Sequence, residues 1–79
     1  MKLSIHSLQK TLFDGEAEKI IARTTTGEIT VLDGHIPLIS SLVGPELKIV
    51  DKKGKENTVV ISSGFIEVRP ESEVVILAN

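Results

Sequence analysis

The sequence predicts an all-β domain built as a sandwich or a barrel from seven or eight short strands. Hydrophobic residues make up 41% of the 79 residues, and they are mainly Ile, Val and Leu rather than aromatic residues. Apolar and polar positions alternate with the period of two that half-buried strands show. Turn signals recur about every 8–12 residues, and no segment of useful length has a helical period. A chain of this length holds one core, so we expect a single domain over residues 1–79.

Four strands are predicted in the first half of the chain. Leu3 and Ile5 alternate with polar neighbours and indicate the first strand. Turns are predicted at Asp14-Gly15, Thr25-Thr26-Gly27 and Asp33-Gly34. Pro37 is expected at a sheet edge or a strand start, because it cannot donate to a ladder. The other three predicted strands cover residues 17–24, 28–32 and 36–41.

The second half predicts two hairpins after a strong break. Gly44-Pro45 is the clearest break signal in the chain. Beyond it, residues 47–51 and 56–62 are predicted to form a hairpin with a basic tip, and Ser63-Gly64 permits a kink. Residues 65–68 and 74–77 form a last pair around an exposed, proline-containing reversal at 69–73.

Composition excludes several classes of function. The formal net charge of −2 and the absence of Trp and Tyr argue against nucleic-acid binding, which usually needs a basic face and stacking rings. Without Cys there is no disulfide or thiolate metal site, as suits a reducing compartment. No apolar run approaches the roughly 20 residues that span a bilayer. We therefore expect a soluble domain that a partner can hold at a membrane.

No residue pattern predicts catalysis or a metal site. His6 and His35 are the only histidines, and no ligand cluster surrounds them. Asp33, His35 and Ser40 or Ser41 resemble a hydrolase set in residue type alone, since no nucleophile elbow is present. We therefore expect neither enzymatic activity nor a bound cofactor.

Glycine and lysine positions also favour plain structural roles. Gly27 and Gly34 are seven residues apart and neither precedes a helix, so they are expected to be turn glycines rather than a phosphate site. Lys52, Lys53 and Lys55 surround a hairpin glycine, where a solvated tip is more common than an anion site.

One apolar segment has two possible interpretations. Residues 36–43 are apolar on both faces, although a small sandwich has only one interior. Part of the segment therefore faces a partner, or the chain's own loops bury it. The pattern alone leaves both possibilities open.

Four blocks in order resemble one known family. Residues 27–38 (GEITVLDGHIPL) are similar to the signature of epsilon subunits of F-type ATP synthases, with its Gly-Glu start and its His-x-Pro-Leu end. The flanking blocks are Phe13-Asp14-Gly15, residues 63–68 (SGFIEV) and residues 74–78 (VVILA). Thr30 and Ser63 replace glycines of the family pattern, so the local turn or bulge is expected to differ there. Family members continue into two C-terminal helices, whereas this chain ends at Asn79, as a naturally short or a truncated form would. Inhibition of ATP hydrolysis and nucleotide binding, associated with those helices, are therefore not expected.

The resemblance implies a flattened β-sandwich of about eight to ten strands that acts as a non-catalytic rotor subunit. It implies contacts with the gamma subunit and the proteolipid ring, and a peripheral location at the cytoplasmic face of the inner or plasma membrane. The expected ring contacts are Thr25, Thr26, Gly27 and Glu28, and the expected gamma contacts are His35, Pro37, Leu38 and Ser40.

Two other all-β classes compete with this interpretation. A biotinyl or lipoyl carrier domain has a similar length, but it needs a modifiable lysine on a tight turn, usually beside Met or Ala, and Met occurs here only at position 1. An oligonucleotide-binding barrel is disfavoured by the charge and the missing aromatic residues. A small protein-interaction domain remains compatible with the pattern.

Overall fold

The computed structural model describes all 79 residues and contains eight β-strands and no helix. No helix is therefore available that could cross a membrane. The strands are β1 (Lys2–His6), β2 (Thr11–Glu16), β3 (Lys19–Thr24), β4 (Gly27–Leu32), β5 (Leu38–Val50), β6 (Glu56–Val60), β7 (Ser63–Arg69) and β8 (Glu73–Ala78).

One continuous sheet joins all the strands in the order β2-β1-β8-β7-β5-β3-β4, and β6 also pairs with β5. The pairs are antiparallel except β1 with β8. Residues 38–43 of β5 pair with β7, whereas residues 46–50 pair with β6 and residues 43–50 with β3. Strand β5 thus belongs to two layers. The first layer is β2, β1, β8, β7 and the start of β5; the second is β6, the end of β5, β3 and β4.

The two layers enclose a single core. Sixteen buried hydrophobic residues form one cluster, to which both layers contribute. Leu3 and Ile66 come from the first layer, and Ile20 and Leu47 come from the second; all four are fully buried. Burying one such side chain contributes about 1.5–3 kcal/mol, so this cluster is the main source of stability. The all-β sandwich class is confirmed, with eight strands.

The predicted break at Gly44-Pro45 is wrong, because β5 continues through it as a bend. Gly44 and Pro45 are joined by a cis peptide bond. The Gly44 N–H donates to the Ser62 carbonyl oxygen at 2.9 Å, and the Ile61 N–H donates to the Pro45 carbonyl oxygen at 2.9 Å. A Cβ at Gly44 would collide with the main-chain oxygen of Ile61. Glycine at this position therefore lets β5 pass between the layers.

The predicted turn at Asp14-Gly15 is also wrong. Both residues lie inside β2, where Asp14 pairs with Ser4 and Gly15 pairs with Leu3. Strand β2 has β1 as its only neighbour, and turn-forming residues are tolerated better at a sheet edge than in a central strand. The following strand begins at Lys19 rather than at residue 17.

The remaining turns agree with the sequence. Pro37 immediately precedes β5, and residues 51–55 close the β5–β6 hairpin. Thr30 and Ser63 lie in regular strands and have no positive φ, so the glycines that the family pattern has there are not needed for the backbone of this chain. The β7–β8 turn does contain strained residues, since Glu71 and Ser72 have φ values of 65° and 57°.

Candidate functional site

The β3–β4 turn, predicted as the ring contact, is exposed, and hydrogen bonds of the Thr24 side chain stabilise it. Thr25, Thr26 and Glu28 are exposed, and Gly27 has a φ of 134°. Thr24, which the sequence analysis did not select, is buried; its Oγ1 donates to the Gly27 carbonyl oxygen at 2.9 Å and accepts from the Thr26 N–H at 3.2 Å. A threonine just before a turn was the available signal. The turn is therefore preorganised, with its side chains directed to solvent.

The segment predicted as the gamma contact is divided between surface and interior. Pro37 is exposed and His35 is partly exposed, with its Nδ1 2.7 Å from the Ile36 carbonyl oxygen. Leu38 is half-buried and packs against the core, and Ser40 lies on the same inward side of β5. Only His35 and Pro37 of this set are freely presented; the contact of all four with a partner stays a prediction.

The two predicted contact sets lie at opposite ends of one strand. Glu28 is near the start of β4, and His35 follows its end at Leu32. Six residues of extended chain cover about 17–20 Å, so the sets cannot form one site. The two predicted contacts are therefore separate surfaces of the domain.

An exposed apolar face covers the outside of the first layer and was not selected from the sequence. We define the outer apolar face as Ile39, Phe65, Val75 and Leu77. Ile39 is 76% exposed, Phe65 59% and Leu77 56%. Cross-strand pairing places Phe65 beside Leu77, and it places Glu67 of β7 between Ile39 and Val75. This face begins two residues after Pro37, so it extends the predicted gamma-contact segment.

One ion-paired carboxylate, that of Glu67, lies within the outer apolar face, between Ile39 and Val75. Arg69 Nη2 lies 3.0 Å from Glu67 Oε1, and Arg69 Nη1 lies 3.3 Å from Glu73 Oε1. The carboxylate of Glu67, followed by that of Glu73, raises the pKa of Arg69 above its ordinary value. Protein–protein interfaces commonly combine exposed apolar side chains with polar groups of this kind.

Asp51 organises the lysine tip of the β5–β6 hairpin. One carboxylate oxygen of Asp51 accepts the Lys53 N–H at 2.8 Å and the Lys55 N–H at 2.9 Å. Gly54 has a φ of 81°, as the tight turn requires. The lysine side chains are exposed. Asp51 therefore fixes the backbone of the loop, and the lysine side chains extend into solvent.

The whole chain matches a known family. Residues 1–79 match the model of the ATP synthase delta/epsilon chain β-sandwich domain. A relative named "ATP synthase epsilon chain" from Shouchella clausii is 43% identical over 80 residues, which is 100% of this chain and 58% of the relative. Another so named from Desulforudis audaxviator is 44% identical over 99% of this chain and 56% of its own length. The chain belongs to this family, and it spans somewhat over half the length of these relatives.

Solved structures give the same grouping. A chain of the Euglena gracilis mitochondrial ATP synthase OSCP/F1/c-ring structure is 30% identical and superposes with a TM-score of 0.90 over 96% of this chain and 48% of that one. A chain of the Tetrahymena thermophila ATP synthase central stalk and c-ring structure has a TM-score of 0.80 at 19% identity, which supports the fold alone. The family match removes the carrier-domain and oligonucleotide-binding alternatives.

Proposed function

We propose that this chain is a non-catalytic rotor element that links the gamma subunit to the proteolipid ring and helps couple ion translocation to ATP synthesis. The observation that carries the proposal is the match of the whole chain to the delta/epsilon family. The likeness to a chain from an F1/c-ring assembly supports it further. The location is then peripheral, at the cytoplasmic face of the inner or plasma membrane, where the complex holds the chain.

The ring contact is assigned to Thr25, Thr26, Gly27 and Glu28. In its support, the buried hydroxyl of Thr24 fixes this turn before any partner arrives. Preorganisation lowers the entropy that binding must overcome. The turn offers short polar side chains and one carboxylate, which suit the polar surface of a ring of membrane subunits.

The gamma contact is assigned to the segment of His35, Pro37, Leu38 and Ser40, continued over the outer apolar face. An apolar face of this kind on a small domain favours a protein partner. Within the segment, Leu38 and Ser40 support the surface from the inner side of β5, and the residue between them, Ile39, is exposed. The proposed contact therefore combines apolar area with the ion-paired side chains of Glu67 and Arg69.

The proposal is tested by measuring two separate bindings. The chain is passed over immobilised gamma subunit and, separately, over the immobilised proteolipid ring in detergent. Parent chain should bind both. Glu28→Lys should lose the ring and keep gamma, whereas Ile39→Asp should lose gamma and keep the ring. The proposal would be overturned if the parent chain failed to bind one or both partners. If a single variant lost both partners, the two surfaces would not be separate.

A further inference from the structure

Strand β6 forms an edge of the second layer, because β5 is its only neighbour. In an antiparallel ladder, residues that are hydrogen-bonded to the neighbouring strand alternate with residues whose N–H and C=O point away from it. The Ile61 N–H donates to the Pro45 carbonyl oxygen at 2.9 Å, so position 61 belongs to the hydrogen-bonded set. The N–H and C=O groups that point away from β5 are therefore those of Glu56, Thr58 and Val60.

The edge of β6 lacks most of the features that prevent an edge strand from pairing with another chain. Such features include lysine or proline within the strand, bulges and charged side chains. Strand β6 has the sequence ENTVV and a regular register with β5, and Val60 is 79% exposed. The other edges are better protected, since β2 carries Asp14 and Glu16, and Pro37 precedes β5. In β4, the Leu32 carbonyl oxygen already accepts a hydrogen bond at 3.0 Å from the following turn.

We propose that β6 pairs with β6 of a second copy of this chain, antiparallel and about a two-fold axis at Thr58. In this register Thr58 lies opposite Thr58 of the second copy, and Glu56 lies opposite Val60. Every outward N–H of one copy then meets an outward C=O of the other, whereas any other register leaves some of these groups unpaired. Cross-strand threonine pairs are favourable, and no carboxylate in the paired strands lies opposite another.

The distribution of charge supports the same orientation. The antiparallel arrangement places the exposed lysine tip of one copy (residues 52–55) beside the end of β6 in the other copy. Glu46 lies at that end, because it pairs with Val60 across β5 and β6. By the two-fold symmetry, a positive tip approaches a carboxylate of the other copy at both ends of the paired strands.

This pairing is weak and is independent of the proposed function. One pair of short strands buries less than the roughly 1,200 Å² at which stable protein interfaces begin. The expected Kd is therefore on the order of 0.1–1 mM. Strand β6 lies outside both proposed contact sets and outside the outer apolar face, so binding to the ring or to gamma does not depend on it.

Sedimentation velocity of the chain from about 10 μM to about 2 mM, a range that brackets this Kd, tests the pairing. The mean mass should rise from the 8.6 kDa of one chain towards twice that value. Thr58→Pro should keep the mass of one chain at every concentration, because proline removes an outward N–H and leaves the ladder with β5 intact.

Thr30→Pro is the matched control for Thr58→Pro. Thr30 lies three positions after Gly27, which closes the two-residue β3–β4 hairpin, so its N–H points to the free edge of β4. This variant should dimerise as the parent chain does. A parent chain that kept the mass of one chain throughout would overturn the proposal, and so would a dimer that Thr30→Pro removes and Thr58→Pro leaves intact.

A cysteine at the two-fold axis tests the register, since the chain has no Cys of its own. Hydrogen-bonded cross-strand neighbours have Cα atoms about 5.5 Å apart, a separation that a disulfide can span. In a glutathione redox buffer, Thr58→Cys should form at least about ten times as much disulfide-linked dimer as Thr30→Cys. Equal yields would overturn the pairing. Unfolding midpoints of all variants are compared first; should Thr58→Pro be unstable, Thr58→Lys replaces it, with Thr30→Lys as its control.

Discussion

Leu38 and Ile39 are adjacent in β5 and face opposite sides of the first layer, so equivalent substitutions should have different effects. Leu38 packs against the core, whereas Ile39 is 76% exposed. An aspartate at position 38 places a carboxylate against apolar groups and should cost about 2–4 kcal/mol, out of roughly 4–8 kcal/mol for a domain of this size. An aspartate at position 39 should cost less than about 0.5 kcal/mol, since its side chain stays in water.

Urea unfolding followed by far-ultraviolet circular dichroism measures this difference, because the chain has no Trp or Tyr for fluorescence. With a slope of about 1 kcal/mol per molar urea, Leu38→Asp should lower the midpoint by about 2–4 M and Ile39→Asp by less than about 0.5 M. Ile39→Asp should nevertheless abolish gamma binding. Val60→Asp, at an exposed apolar position of the second layer, should preserve both properties. Equal midpoints for the two β5 variants would refute the assignment of their faces.

Three further predictions concern turns and close contacts. Glu28→Lys should change stability by less than about 0.5 kcal/mol while weakening ring binding; equal losses of melting temperature and ring binding would make Glu28 a structural residue. Gly64→Ala should cost about 1–3 kcal/mol, because its Cβ would meet the main-chain oxygen of Leu77, and Gly15→Ala, with only Phe13 ring carbons at 3.8 Å, is the control that should unfold near the parental midpoint. Glu71→Gly should raise the free energy of unfolding by up to about 1 kcal/mol, since glycine adopts its φ of 65° without strain; a lower thermal midpoint would contradict this.

Much of the fold was predictable because alternation and turn residues carry local information. The strand of residues 28–32 and the basic hairpin follow from such patterns. The errors came from residues whose role depends on sheet position. Gly15 signals a turn but is tolerated in β2, which has one neighbour. Pro45 signals a break but lies where β5 has left β7, and its carbonyl still accepts a hydrogen bond from Ile61.

The outer apolar face was harder to predict for a different physical reason. Residues 74–77 are all apolar, so alternation cannot show which of them face the core. Exposure of Leu77 follows only from strand order, because β8 lies between β1 and β7 and its outer side has no covering layer.

The two outer faces differ in character, and one strand connects them. The first layer presents the outer apolar face with Ile39, and the second presents a shallow groove whose charged lining residues are Arg23, Glu28, Glu46 and Lys48. Ile39 and Lys48 both belong to β5, which is hydrogen-bonded to β7, β3 and β6. A load applied at either face therefore reaches the other through covalent bonds and sheet ladders around one packed core, which deforms little. Transmission between two partners would then need no hinge or switch within this domain, since β5 continues from one layer to the other through the bend at Gly44 that the local sequence presents as a break.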